Sequence, residues 1–493
     1  MRKKTPIFYS ALMLTGVNLL LRLAGTSFQV YISARIGAAG VGLLQLVMSV
    51  GGLAMTAGMA GIRTTAMYLT AEQLGRNRAD TTVWVLSGCF LYSILCSAAI
   101  SAALLLAAPY IAENWIGNNL TVGSLRLLAA FLPVSCLVGV MAGYFTAAGR
   151  IGTLAAVEVA EQALSMTATL LLLKFWAGSN PARACQAVVA GGGISGCVTL
   201  LALVLLRIRE KQKVSSPIPI RRRLLSCAIP LAGADIIKSG ISTTENMLVP
   251  KRLALFPGAT DPLAAFGMVC GMVFPVVMFP AAILFGLAEL LIPELARCAT
   301  ANSHTRIRYL VRRSLKVSVL YGCVFGALMV LLSDSLCMAL YGSIDAAYWL
   351  RRYAFLIPML YCDAITDAMT KGLGQQKACV RYNILTSFMD VALLFLLLPR
   401  YGMRGYYFSF LVTHALNFLL SLRRLVKISG IQIRLHAPIR TLMSCGIGLG
   451  AAIHLEPVTG CVCCLLIMGC LLVLWNVIGQ EDLAWIKGLI RKK

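Results

Sequence analysis

Acidic residues are scarce in this chain. Across 493 residues there are 19 Asp and Glu against 44 Lys and Arg, and only 4 His. The histidines, His304, His414, His436 and His454, fall on separate segments. That leaves little for imidazole catalysis or a histidine-based metal centre. No G-x-x-x-x-G-K-[ST] motif occurs, so ATP hydrolysis by this chain is not expected. Charge of either sign is low, at 13% of residues, which excludes an ordinary soluble domain and a solvated disordered one. No enzyme constellation and no cofactor motif stands out, so the chain is not expected to be an enzyme.

What is abundant is apolar side chain. Hydrophobic residues make up 59% of the chain, and the mean hydropathy is +0.82. These values belong to a polytopic membrane protein. The 17 cysteines lie mostly inside apolar runs, where a thiol behaves as a small hydrophobe. Cys461, Cys463 and Cys464 have metal-like spacing, but they fall mid-helix with no histidine near, and no metal site is expected. Arg2, Lys3 and Lys4 before an apolar run resemble a signal peptide. The run is too long for one and a second follows at once, so it reads as a retained first helix.

Apolar runs of 20 or so residues, punctuated by Gly, Pro and charge, predict about fourteen spans. Their approximate limits are 7–36, 40–70, 83–108, 124–148, 152–174, 184–206, 224–250, 263–295, 314–333, 350–371, 381–398, 405–424, 438–455 and 458–478. Lys and Arg concentrate in alternate connecting segments, chiefly 207–223, 297–316, 423–440 and both termini. The net charge of +25 is therefore largely topology, with both termini cytoplasmic and anionic lipid as counter-charge. Positive charge lies between apolar spans rather than in a domain of its own, which argues against nucleic-acid binding.

The basic linker 207–223 divides the first twelve spans evenly. Three weak likenesses recur at offsets of about 222–227 residues, as parallel repeats would require. Gly40 matches Gly267, Ala71-Glu72-Gln73-Leu74 matches Pro293-Glu294-Leu295-Ala296, and the turn at Thr146–Arg150 matches Thr370–Gln375. The expected organisation is an N-terminal lobe at 1–206, the linker at 207–223, a C-terminal lobe at 224–424, and two further helices with a tail at 425–493. In fold class this is all-α, with two parallel six-helix lobes around a central cavity.

Polar residues inside the spans mark candidate sites. An arginine at bilayer depth costs about 2.5–3.5 kcal/mol on insertion scales, and spans 1 and 2 each hold one, Arg22 and Arg63. Thr15, Asn18, Arg22, Thr26, Gln29 and Ser33 fall within a sector of about 80° of one helix. Gln45, Ser49, Gly52, Thr56 and Arg63 fall within about 60° of the next. Two basic stripes suggest the wall of a wet pocket for an anion. The competing readings are an ion pair of Arg22 with Glu158 or Glu161, and snorkelling of Arg63 to the interface.

On span 7, Asp235, Lys238, Ser242, Glu245 and Asn246 share a face of about 120°. Lys238 can reach Asp235 or Glu245, giving either a self-neutralised packing face or a further wall of the pocket. Span 8 carries Pro275, Pro280 and Pro293 and should bend, with Glu289 facing the cavity and Glu294 the interface. Glu158 with Glu161, and Asp363 with Asp367 and Lys371, read first as helix-to-helix ion pairs and second as carriers of a proton or cation. Asp390, His414 and Asn417 read as lone polar groups.

Two segments carry a family resemblance. Tyr31 to Leu46 (YISARIGAAGVGLLQL) and Leu284 to Ala296 (LFGLAELLIPELA) resemble the first hairpin and the eighth span of the multidrug/oligosaccharidyl-lipid/polysaccharide exporter superfamily. The branch is the polysaccharide and oligosaccharide flippases, including sporulation members. The resemblance implies a flippase that moves a polyprenyl-diphosphate-linked saccharide, a cell-wall or polysaccharide precursor, by alternating access in the bacterial cytoplasmic membrane. The alternative within the superfamily is a multidrug cation antiporter.

In the related lipid II flippases several arginines line the first lobe's cavity, and Arg22 falls where one of them would. Phe28 stands about where a second would, and the acidic residue expected at the start of span 2 is absent. An anionic lipid carrier in general, rather than lipid II itself, is what the resemblance implies. The expected substrate contacts are Arg22, Arg63, Asn18, Gln29, Gln45, Lys238, Glu245 and Glu289. The expected partners are the lipid-linked saccharide, membrane lipids and a coupling cation or proton, with the chain acting as a monomer, without cofactor, metal or nucleic acid.

Overall fold

A computed structural model describes residues 7–75, 79–178, 180–209, 220–432 and 436–477. The side chains at 7–15, 18, 75, 79 and 234 lie outside that description. Seventeen α-helices follow one another, and the described residues contain no strand. Those of the first half are α1 (Ile7–Met59), α2 (Ile62–Gly75), α3 (Thr82–Tyr110), α4 (Val122–Ala147), α5 (Ile151–Leu172), α6 (Pro181–Ile208) and α7 (Arg221–Leu253). Then come the short α8 (Pro262–Gly267) and α9 (Phe274–Met278), followed by α10 (Ala281–Thr300), α11 (His304–Tyr341), α12 (Ile344–Ala354) and α13 (Ile357–Gly372). The chain closes with α14 (Gln376–Tyr401), α15 (Met403–Ser429), α16 (His436–Ala452) and α17 (Pro457–Leu474).

Each expected span overlaps one or more of these helices, but the count of fourteen spans is not reproduced. Among the described residues, 9 helices are long and apolar enough to cross a membrane, or up to 10 if a bent pair counts as one span. The first of them merges two expected spans. At 1.5 Å per residue the 53 residues of α1 would reach about 80 Å, far beyond a hydrocarbon core of about 30 Å. The helix is broken at Gly37, with φ 73° and ψ 173°, a conformation open to glycine and costly for other residues. The bend expected in the eighth span is present: Pro262–Met278 and Ala281–Thr300 meet at 63°, beside Pro280.

Contacts divide the chain into two compact units. The first comprises Met1–Gly271 and Val391–Gly405; the second comprises Met272–Asp390 and Tyr406–Lys493. The helices that follow the basic linker, α7 and α8, thus pack with the first unit. Most of the linker itself, 210–219, lies outside the described residues.

In the first unit, α8 sits against α1 almost backbone to backbone. A Cβ added at Gly267 would strike the Ala38 carbonyl and the Gly42 backbone, and one at Gly271 would strike Val41. The Ser33 hydroxyl donates to the Gly271 carbonyl at 2.7 Å. A similar approach brings α4 to α2, where a Cβ at Gly143 would meet the Arg63 carbonyl at 2.5 Å. The core beside it holds Ile62, Ala66, Val85, Val140, Tyr144 and Leu203, all buried.

In the second unit, α10, α11 and α13 pack together. The break at Pro280 frees carbonyls that an unbroken helix would bond internally. Tyr361 donates to the Val277 carbonyl at 2.7 Å and Tyr321 to the Pro280 carbonyl at 2.7 Å. In a membrane such freed groups need partners from neighbouring helices.

The α1–α8 contact generates a test. Gly267→Ala should lower stability by about 1–3 kcal/mol, since the clash is with backbone that cannot rotate away. Gly52→Ala, where an added Cβ meets nothing within 4 Å, should leave it unchanged. Thermal unfolding of the two purified variants in one detergent checks this.

Candidate functional site

Arg63 stands at the second residue of α2, just past the turn at Ala60 and Gly61, whose φ angles are 41° and 70°. The close approach of α4 at Gly143 and Gly139 seats this turn of α2 in the first unit. The Arg63 side chain opens onto a cavity of about 210 Å³ lined by Met55, Met59, Ser135, Glu158, Glu161 and Thr199, among others. Nη2 of Arg63 lies 3.9 Å from Oε1 of Glu158. The Thr199 hydroxyl bonds the Glu161 carboxylate. The Arg63 side chain is 56% exposed and that of Glu158 29%, so the pair is loose and open on the cationic side. Arg63 is therefore not an isolated positive charge: the recess holds one guanidinium and two carboxylates. The ion-pair reading of Glu158 is the one the geometry favours.

Arg22 is exposed on α1, and the Thr26 hydroxyl donates to its carbonyl at 2.9 Å. α5 packs on this part of α1: a Cβ at Gly25 would stand 3.9 Å from Nε2 of Gln162. Gly25 is one turn from Arg22 and Gln162 one turn from Glu158, so the basic stripe of α1 and the acidic edge of α5 border the same helix pair. Gln29 and Gln45 are half-buried on α1. The Asn18 side chain lies outside the described residues.

The polar face of α7 divides in two. Asn246 donates to the Ser49 hydroxyl at 2.8 Å, and Thr243 to the Ser49 carbonyl at 3.1 Å, which docks α7 on α1. Glu245 is half-buried beside them, while Asp235, Lys238 and Ser242 are exposed. The pairing considered for Lys238 is not found: no ion pair joins it to Asp235 or Glu245 among the described residues.

Glu289 is half-buried on α10, in the second unit. Glu294 bonds Arg306 at 3.0 Å and ties the end of α10 to the start of α11.

The second unit has its own polar cavity, of about 400 Å³, which includes Asp363, Asp367, Lys371, Asn383, His414 and Asn417 among its lining. Lys371 pairs with Asp367 at 2.6 Å, as the i, i+4 spacing on α13 implies. Asn417 donates to both oxygens of Asp363, at 3.2 and 3.1 Å. His414 and Asn417 had read as lone groups; one turn apart on α15, they share a face, and that spacing is the signal that could have joined them to α13. Asp390 is satisfied by the hydroxyls of Ser409 at 2.5 Å and Thr413 at 3.3 Å, a packing role.

The apolar helices make the described residues an all-α polytopic membrane protein. An inward-facing multidrug resistance MATE family transporter of the MOP superfamily matches the fold with a TM-score of 0.67 at 14% identity, covering 85% of this chain and 100% of that one. The lipid II flippase MurJ in an inward closed conformation also gives 0.67, at 12% identity, over 96% of this chain and 99% of that one. The chain belongs to the polysaccharide biosynthesis protein family, whose model matches residues 8–282. It is similar to stage V sporulation protein B of Bacillus subtilis, with 22% identity over 88% of this chain and 86% of that protein.

The two recesses should respond differently to mutation. Glu158→Gln removes the partner of an open, loose pair and should cost under about 1 kcal/mol. Asn417→Ala strips the donor from a carboxylate inside the second cavity and should cost about 1–3 kcal/mol. Melting curves of the two variants measure both losses.

Proposed function

We propose that this protein moves a polyprenyl-diphosphate-linked saccharide, a precursor of cell wall or polysaccharide, across the bacterial cytoplasmic membrane by alternating access. One observation carries the reading: the segment that matches the polysaccharide biosynthesis family also holds the two arginines set inside apolar helices, Arg22 and Arg63. A guanidinium binds phosphate oxygens through paired N–H donors, and a diphosphate is the charged part of such a carrier lipid. The similarity to stage V sporulation protein B and the fold shared with lipid II flippase MurJ support the same substrate class.

The cavity at Arg63 measures about 210 Å³, below the roughly 300–1,000 Å³ of pockets that enclose a drug-sized ligand. It suits a phosphate-sized part of the head group, with Arg22 and the polar side chains at Asn18, Gln29 and Gln45 extending the contact along α1. Lys238, Glu245 and Glu289 complete the proposed contact set. Asp363 and Asp367, in the second unit's cavity, are the proposed seat of a coupling cation or proton. The lobes at 1–206 and 224–424, both termini in the cytoplasm, and a monomeric carrier complete the proposal.

A second reading, export of a cationic drug, draws on Glu158 and Glu161, which would suit a positive ligand in the Arg63 cavity. The two separate cleanly in one assay set. Arg22→Ala should reduce export of the lipid-linked saccharide to background at unchanged protein level. Arg22→Lys should partly restore it, because a point charge replaces the planar fork. Full activity of Arg22→Ala would remove the arginine from the mechanism. Efflux of a cationic dye, lost in Glu158→Gln and unaffected in Arg22→Ala, would favour the drug reading instead.

A further inference from the structure

The second unit contains another cavity, of about 440 Å³, that the transport reading does not use. It lies where the first turns of α11, the end of the segment after α15, the start of α16 and the residues after α17 converge. Arg312 and Lys316 project from α11 one turn apart, and His436 and Arg440 from the first turns of α16. None of the described residues lining it is acidic. Arg440 donates through Nη1 to the Trp475 carbonyl at 2.9 Å, so the end of α17 is held against α16 and one guanidinium is fixed in place. The rest of the wall is apolar: Leu315, Val319, Ile431, Pro438 and Val477. Close by on the outer surface, Ile439 and Leu442 of α16 and Leu474 of α17 are exposed at 49%, 51% and 75%.

We propose that this cavity binds the phosphate of an anionic glycerophospholipid, with the acyl chains lying along the exposed apolar ends of α16 and α17. Cationic groups above an apolar wall match an amphipathic anion. Basic pockets between spans at a membrane surface are where lipid head groups bind. The same guanidinium and ammonium groups would accept a soluble phosphate; the apolar wall and the lipid-facing lip are what favour the lipid.

Retention of lipid by the purified full-length protein, read by native mass spectrometry, tests the assignment. The probes are phosphatidylglycerol, phosphatidylcholine and inorganic phosphate. The wild type should retain phosphatidylglycerol over phosphatidylcholine, and the double variant Arg312→Gln/Lys316→Gln should lose that preference by roughly tenfold. Arg423→Gln/Lys427→Gln removes the same charge outside the cavity and should keep the preference, as should Lys316→Arg. A melting temperature close to wild type in each variant shows that the loss is not unfolding. Equal retention by wild type and the cavity variant, or an equal loss in the Arg423/Lys427 control, overturns the site. Stabilisation of the wild type by inorganic phosphate with no further gain from phosphatidylglycerol overturns the lipid and leaves a soluble-anion site.

Discussion

A peptide group left without a partner in hydrocarbon costs several kcal/mol, and most of this architecture answers that one cost. The spans are helical because a helix bonds its backbone within itself. Where a helix is interrupted, another group takes over. Tyr361 and Tyr321 supply hydroxyls to carbonyls beside the Pro280 break, and Tyr341 supplies one to Met272. Ser33 reaches the Gly271 carbonyl across the α1–α8 contact. At the helix starts, the side chains of Asn180 and Asp261 accept the first free N–H groups. The breaks are possible only because neighbouring helices come close enough to repair them, and glycine at 42, 267 and 271 permits that approach.

The same constraint governs charge. Several of the chain's few acids have a partner suited to a low-dielectric surrounding: Asp363 has Asn417, Asp367 has Lys371, and Asp390 has two hydroxyls. At Arg63 and Glu158 the pair is long and borders a cavity. A pair of this kind costs little to separate, which is what a binding site for an exchanging anion requires. At Arg312, Lys316 and Arg440, positive charge borders a third recess, walled otherwise largely by apolar side chains.

Much of this was legible in the residues. Apolar run length predicted where most helices lie, because burial in lipid is decided residue by residue, but not the number of spans. The prolines predicted the bend of the eighth span. The charges on α13 suggested ion pairs to other helices, but Lys371 pairs with Asp367 on its own helix, as i, i+4 spacing allows. The failures have a common form. Glu158 and Glu161 beside Arg63, and Asn417 beside Asp363, are both matters of how helices cross. A helical wheel ranks the residues of one face and says nothing of what faces them.

The chain by itself determined that it crosses a membrane many times, roughly where most of its helices lie, and that the eighth span bends. These follow from local quantities: hydropathy, periodicity, and the backbone limits of Gly and Pro. Only the tertiary structure decided which charge meets which, that α7 and α8 pack with the first unit, and which polar groups share a recess. Those outcomes depend on interhelical approaches, such as glycine against backbone at 267 and hydroxyl against carbonyl at 33, between residues far apart in the chain.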